Sequence, residues 1–182
     1  VHGVDPDSAI LENESLAERH VIQGDRYPFA NATFDLAVSN YVAEHLENPA
    51  AHLAEVARLL KSGGAYVFRT PNRYHYVSLV SANTPHWIHE LLSNRLRRLP
   101  SNSHAPYPTF HRMNSRASVR HAATQAGLSV ADLQMIEKEP SYGMSSRVLF
   151  LTMMAYERVV NSSELGADLR SNIFAVLRKP LR

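Results

Sequence analysis

At 182 residues and 45% hydrophobic content, the chain is long enough for one globular domain with a real core. It has no cysteine, which excludes disulfides, zinc–thiolate sites and a cysteine nucleophile and fits the reducing cytoplasm where we expect it. The formal charge is only +2, and the longest apolar run, "VLFLTMMAY" (Val148–Tyr156), is about half a membrane span, so a soluble protein is expected.

The charge is unevenly placed. Residues 1–85 carry 6 Lys and Arg against 10 Asp and Glu, whereas residues 86–121 carry 6 against 1, all six being arginine, with five histidines besides. Such a stretch invites an anionic ligand.

In chain order, "VHGVD" reads as the end of a buried strand, and Pro6 to Arg19 as a helix with Ile10, Leu11 and Leu16 inward. "HVIQGD" is a second short strand, "YPFANAT" is turn chemistry, and "FDLAVSN" is a third strand. The next helix is the best signalled. Asn48 caps it, Pro49 opens it, Leu53, Val56, Leu59 and Leu60 share one face, Lys61 suits its C-terminal dipole and Gly63-Gly64 stop it. "AYVFRT" is a fourth strand, closed by Pro71. Residues 73–112 are irregular, with one helix around 88–99. A helix over 115–126 ends at Gly127, a strand lies in "LSVADLQMIEK", a helix near 146–160 follows, and "NIFAVLRK" is the last strand. The order argues an α/β fold: a Rossmann-like, mostly parallel sheet with helices on both faces and an antiparallel C-terminal edge.

Three motifs carry a resemblance. "GVDPD", "GDRYPFANATFDLAVSNYVAEHLENP" and "EVARLLKSGGAYVFRTPN" resemble, in that order, the class I S-adenosylmethionine-dependent methyltransferases, nearest the group that holds the ubiquinone-biosynthesis enzymes. Residues 1–72 carry the specific likeness. It implies S-adenosyl-L-methionine as cofactor, with Asp5 accepting the ribose hydroxyls and Pro6 beside it, Asp25 and the backbone of Arg26 at the adenine, and Asn40 and Tyr41 near the sulfonium. Asp5 could alternatively cap the following helix, and Asp25 could be an ordinary turn residue. That family also has a first strand and an E-x-G-x-G loop, which are absent from this sequence. "VHGVD" then corresponds to the second strand. We expect a single domain over 1–182 that is a piece of a longer protein, with an empty strand position between the strands ending at Asp5 and Asn40.

Methyl transfer needs alignment above all, and a base for an oxygen or nitrogen acceptor. His45, His75 and His111 are candidate bases, with Tyr41 an orienting group. The basic insertion, residues 73–114, falls on the acceptor side in the family. Arg95, Arg97, Arg98, Arg112 and Arg116 could hold an anionic small-molecule acceptor, and Trp87, Tyr107 and Phe110 could wall it; the alternative is a solvated arginine face. The "HWIH" pair lacks the further ligands that a metal needs, so no metal is expected.

Rival readings come from other classes. A nicotinamide or nucleotide-sugar oxidoreductase would also place an acid after its second strand, but "LLKSGGAYVFRTPN" favours the methyltransferase. A nucleic-acid module would rest on the arginines, which lack lysines and tightly interleaved aromatics. A non-catalytic scaffold would rest on the missing glycine loop.

Overall fold

A computed structural model describes residues 1–24, 26–83, 107–137 and 146–181. The strands are β1 (His2–Asp5), β2 (Glu18–Val21), β3 (Phe34–Asn40), β4 (Leu60–Pro71), β5 (Ser129–Ile136) and β6 (Asn172–Arg178). The helices are α1 (Pro49–Leu59), α2 (Tyr76–Asn83), α3 (Arg116–Gln125) and α4 (Arg147–Asn161). β1 and β2 pair in parallel, as do β3 and β4, while β6 inserts antiparallel between β4 and β5. The resulting orders are β1-β2 and β3-β4-β6-β5. This is a Rossmann-like α/β arrangement with the expected antiparallel edge. No described strand pairs with the outer edges of β1 and β3. The two sheets meet through rings, His2 lying 5.4 Å from Phe34 and Phe29 lying 5.0 Å from Phe34.

Alternation along the strands builds the core. Tyr66, Phe68 and Thr70 of β4, Ile173, Ala175 and Leu177 of β6, and Met135 of β5 are buried on one face. Leu53 and Val56 of α1 and Val119, Ala122 and Ala123 of α3 cover them. Each large apolar side chain withdrawn there contributes about 1.5–3 kcal/mol of transfer free energy. On the opposite face of β3, Leu36 and Val38 are 55% and 66% exposed.

Helix ends follow local chemistry. Asn48 Oδ1 accepts from Ala51 N–H, with Pro49 at the first helical position, as the sequence predicts. Ser115 and Ser118 form a reciprocal capping pair for α3, and Gly127 follows it at φ +69°.

Two expectations are corrected. The segment 6–19 is not one helix: a single 3-10 turn, Ser8–Glu12, is followed by β2, which begins at Glu18. Asp5 and Asp7 accept from N–H groups two residues on, and these local bonds compete with a continuous helix. Ile10 and Leu16 do turn inward, over Gly3, but Leu11 is 51% exposed. Nor do Gly63 and Gly64 stop α1, which ends at Leu59; both glycines lie inside β4. A Cβ on Gly64 would sit 2.9 Å from the Lys61 carbonyl oxygen and 3.2 Å from that of Asp35, so close strand approach demands glycine there. Lys61 pairs instead with Asp35 (2.8 Å), and Lys179 Nζ donates to the carbonyls of Ala57 and Leu60 at the end of α1. The expected helix around 88–99 lies outside the described residues.

Candidate cofactor and acceptor site

Ligands of open α/β sheets sit outside the carboxyl ends of the strands. That edge carries Asp5 at the end of β1, and Asn40 and Tyr41 at the end of β3. Asp5 is exposed; its Oδ1 accepts from Asp7 N–H (2.8 Å), and none of the described residues takes its second oxygen. Asp7, rather than Asp5, caps the 3-10 turn. Asp5 thus keeps acceptor capacity toward solvent. Pro6 follows it, also exposed.

Asn40 and Tyr41 have their side chains committed. Arg69 Nε donates to Asn40 Oδ1 (2.7 Å), and the Arg69 guanidinium lies 4.4 Å from the Tyr41 ring centroid. The Tyr41 hydroxyl donates to Asn172 Oδ1 (2.9 Å). Tyr41 holds φ at +56°, a left-handed conformation costly for a bulky residue, and its N–H donates to the Arg69 carbonyl (2.9 Å). Arg69 was not singled out from sequence, since nothing local distinguishes it from a surface arginine.

A segment over 107–114 crosses this edge. Phe110 and His111 N–H groups both donate to the Glu44 carbonyl (2.8 and 3.1 Å), and Arg112 donates to the Glu47 carbonyl (2.6 Å). Beneath, the Glu44 carboxylate is buried and accepts from the Thr70 hydroxyl (3.0 Å), which accepts in turn from Asn114 Nδ2 (2.7 Å). Glu44, Thr70 and Asn114 carried no sequence signal, because their partners lie tens of residues away. Tyr107 closes the arrangement. Its ring meets His45 edge to face at 6.1 Å, and burial, then the nearby Asp7 and Asp5 carboxylates, raise its pKa.

The three histidines differ in what their nitrogens face. His45 Nδ1 lies 2.9 Å from the Pro108 carbonyl, which only accepts, so Nδ1 carries the proton and a neutral ring has its lone pair on Nε2. His111 has a buried Nδ1 without a partner, and burial, then Arg73, then His45 hold its pKa below the ordinary range. His75 is 5% exposed, and burial pushes its pKa down to about 4, making it a poor proton acceptor near neutrality.

The remaining candidates divide. Asp25, Trp87, Arg95, Arg97 and Arg98 lie outside the described residues. Arg26 is exposed, on the loop that Arg58 and Glu55 fasten to α1: Tyr27 N–H donates to Glu55 Oε1, and Arg58 donates to the carbonyls of Tyr27 and Phe29. Arg112 stacks over Phe110 (5.5 Å) besides its Glu47 bond, and Arg116 pairs with Asp168 (2.6 Å), so both act as struts. Among the described residues no three metal-ligating side chains cluster.

The comparisons with known proteins meet this geometry. Residues 1–68, which carry Asp5, Asn40, Tyr41 and His45, match the family described as "Methyltransferase domain". A Ubiquinone biosynthesis O-methyltransferase of Maricaulis maris (strain MCS10) is 24% identical over 180 residues, 99% of this chain. The likeness is to the S-adenosylmethionine-dependent methyltransferases. The chain spans 57% of that relative's length. Among solved structures, a SAM-dependent methyltransferase of Methanosarcina mazei superposes with a TM-score of 0.62 at 16% identity, covering 100% of this chain and 82% of that one. A chain of the Haloferax volcanii complex between the Trm112 methyltransferase activator and a methyltransferase gives 0.61 at 20% identity, covering 100% and 72%. These likenesses extend the methyltransferase fold across the whole chain, the C-terminal half included. S-adenosylmethionine is the cofactor of this class, and an exposed carboxylate with acceptor capacity at the end of β1 suits a ribose diol.

Proposed function

We propose that the chain carries out S-adenosylmethionine-dependent methyl transfer to an anionic small-molecule acceptor. One observation supports this above the rest: Tyr107 meets the His45 ring edge to face and feels the Asp7 and Asp5 carboxylates, which brings the ribose acid and a lone-pair-bearing imidazole to one sheet edge. Asp5 would accept the ribose hydroxyls, with Pro6 shaping the bend. Asp25 and Arg26 belong to the adenine side on this reading, and the main chain at Asn40 and Tyr41 to the methionine side. The bound cofactor would supply an electrophilic methyl group on a sulfonium. His45 Nε2 would take the proton of the acceptor's hydroxyl or amine as that atom is methylated. The chain's larger contribution is alignment, which can supply about 7–11 kcal/mol of barrier lowering. We assign residues 73–114 to the acceptor side of a single domain, with Trp87, Arg95 and Arg98 among its contacts.

Calorimetric titration with S-adenosylhomocysteine tests the reading. The folded chain should bind it, and Asp5→Ala should abolish binding. Absence of binding by the folded wild-type chain sinks the proposal.

A further inference from the structure

Two basic side chains on the acceptor side have no use in this reading so far. Arg73 follows β4, and its backbone N–H donates to the Asn114 carbonyl (2.8 Å). His111 stands three positions before Asn114 and donates its own N–H to the carbonyl of Glu44, the neighbour of His45 (3.1 Å). Backbone bonds therefore gather Arg73, His111 and His45 at one place.

That gathering is unfavourable as it stands. His111 is held at φ +51°, a left-handed conformation uncommon outside glycine, though histidine is among the residues that enter it more readily. Its Nδ1 is buried without a hydrogen-bond partner. Arg58, Arg116 and Arg170 each have a carboxylate partner, whereas Arg73 has none among the described residues and rests on the Tyr74 ring at 5.6 Å. The nearby acids do not serve it. Glu44 is turned into the core toward Thr70, and no described carboxylate pairs with Arg73. An exposed guanidinium, an orphaned imidazole nitrogen and a second imidazole converge where substrates of such sheets lie. A left-handed backbone and an unsatisfied buried nitrogen persist where a ligand or a function offsets them.

We propose that Arg73 and His111 form an anion subsite that takes a carboxylate of the methyl acceptor and sets its nucleophilic atom against His45. The proposal rests on the methyl-transfer reading for the identity of its ligand. A carboxylate suits the donor set: the guanidinium fork matches its two oxygens, and His111 Nδ1–H adds a third bond. A phosphate, with more charge and a third acceptor oxygen, would call for further donors. The acceptor class that follows is a small carboxylic acid bearing a hydroxyl or amine.

The test follows the histidine Cε1–H signals of the full chain by proton–carbon NMR. Benzoate, inorganic phosphate and chloride are titrated at equal ionic strength, with and without S-adenosylhomocysteine. Benzoate should bind saturably and raise the pH at which His111 titrates, and R73Q should weaken benzoate about tenfold. R120Q, at an exposed position of α3, should leave it unchanged. Benzoate acting no more strongly than chloride, or R73Q binding as wild type does, overturns the subsite; phosphate binding more tightly than benzoate overturns its assignment to a carboxylate. A chain that binds S-adenosylhomocysteine and not benzoate loses the subsite alone. One that binds benzoate through Arg73 and not S-adenosylhomocysteine keeps the subsite and loses the methyl-transfer reading.

Discussion

The decision among candidate bases turns on individual nitrogen atoms. All three histidines stand in irregular sequence near the acceptor side, and no spacing separates them. The Pro108 carbonyl does, by fixing the proton of His45 on Nδ1. Nitrogen-15 NMR should show neutral His45 as the Nδ1–H tautomer; an Nε2–H tautomer would remove it as the base. Once an acceptor is in hand, His45→Gln should lower kcat about a hundredfold or more and leave S-adenosylhomocysteine affinity unchanged. A fall in that affinity would make His45 a structural support of the cofactor site instead. Tyr41 shows the converse case, since its hydroxyl is spent on Asn172.

Elements of regular structure supply the rigid parts, and the segment over 107–114 supplies the coupling between them. Its register depends on one buried hydroxyl. Thr70 donates to the Glu44 carboxylate and accepts from Asn114, and Asn114 also donates to the Pro71 carbonyl. Thr70→Val keeps the shape and strands two buried polar partners, so it should cost about 2–3 kcal/mol. The urea midpoint should fall with an unchanged m-value. A midpoint equal to wild type would mean that Glu44 and Asn114 find each other or water, and that the segment does not depend on Thr70. The same polar network explains why Glu44, an acid in a motif that reads as surface, is buried.

Across the whole molecule, stability should carry a mark of the buried His75. Its ring lies tilted against Tyr76 (4.2 Å) and edge to face with Tyr156 (5.9 Å), and its Nε2 lies 3.5 Å from Glu137 Oε2. The Glu137 carboxylate would favour a charged ring, but desolvation prevails and the pKa falls to about 4. The unfolded chain binds that proton near the ordinary value of about 6.5. The unfolded state therefore holds more protons between those values, and the stability present above about pH 6.5 is lost as pH falls toward 4. Chemical denaturation of wild type should lose more stability from about pH 7 to about pH 5 than His75→Gln does. Equal losses would mean that Glu137 compensates the charge. The described helices include none long and apolar enough to cross a membrane.

Much of this molecule was written locally. Strand alternation in "FDLAVSN", the Asn48-Pro49 start of α1, the Ser115 cap and Gly127 stop of α3, and the order of strands and helices all follow from periods of two and 3.6 residues and from turn chemistry acting over a few positions. Those signals, with the three motifs, were enough for the fold and for the place of Asp5 at the end of β1. Where local signals competed, tertiary contacts decided: inside β4, Gly64 serves a close strand approach and Gly63 a positive φ, rather than a helix end, and residues 6–19 yield to Asx turns and the early start of β2. The site itself was the least legible part. The tautomer of His45, the Thr70 link, the Arg69–Tyr41 stack and the Arg73–His111 cluster each join residues separated by tens of positions. No local period records such a pairing; only the folded chain brings the partners within reach.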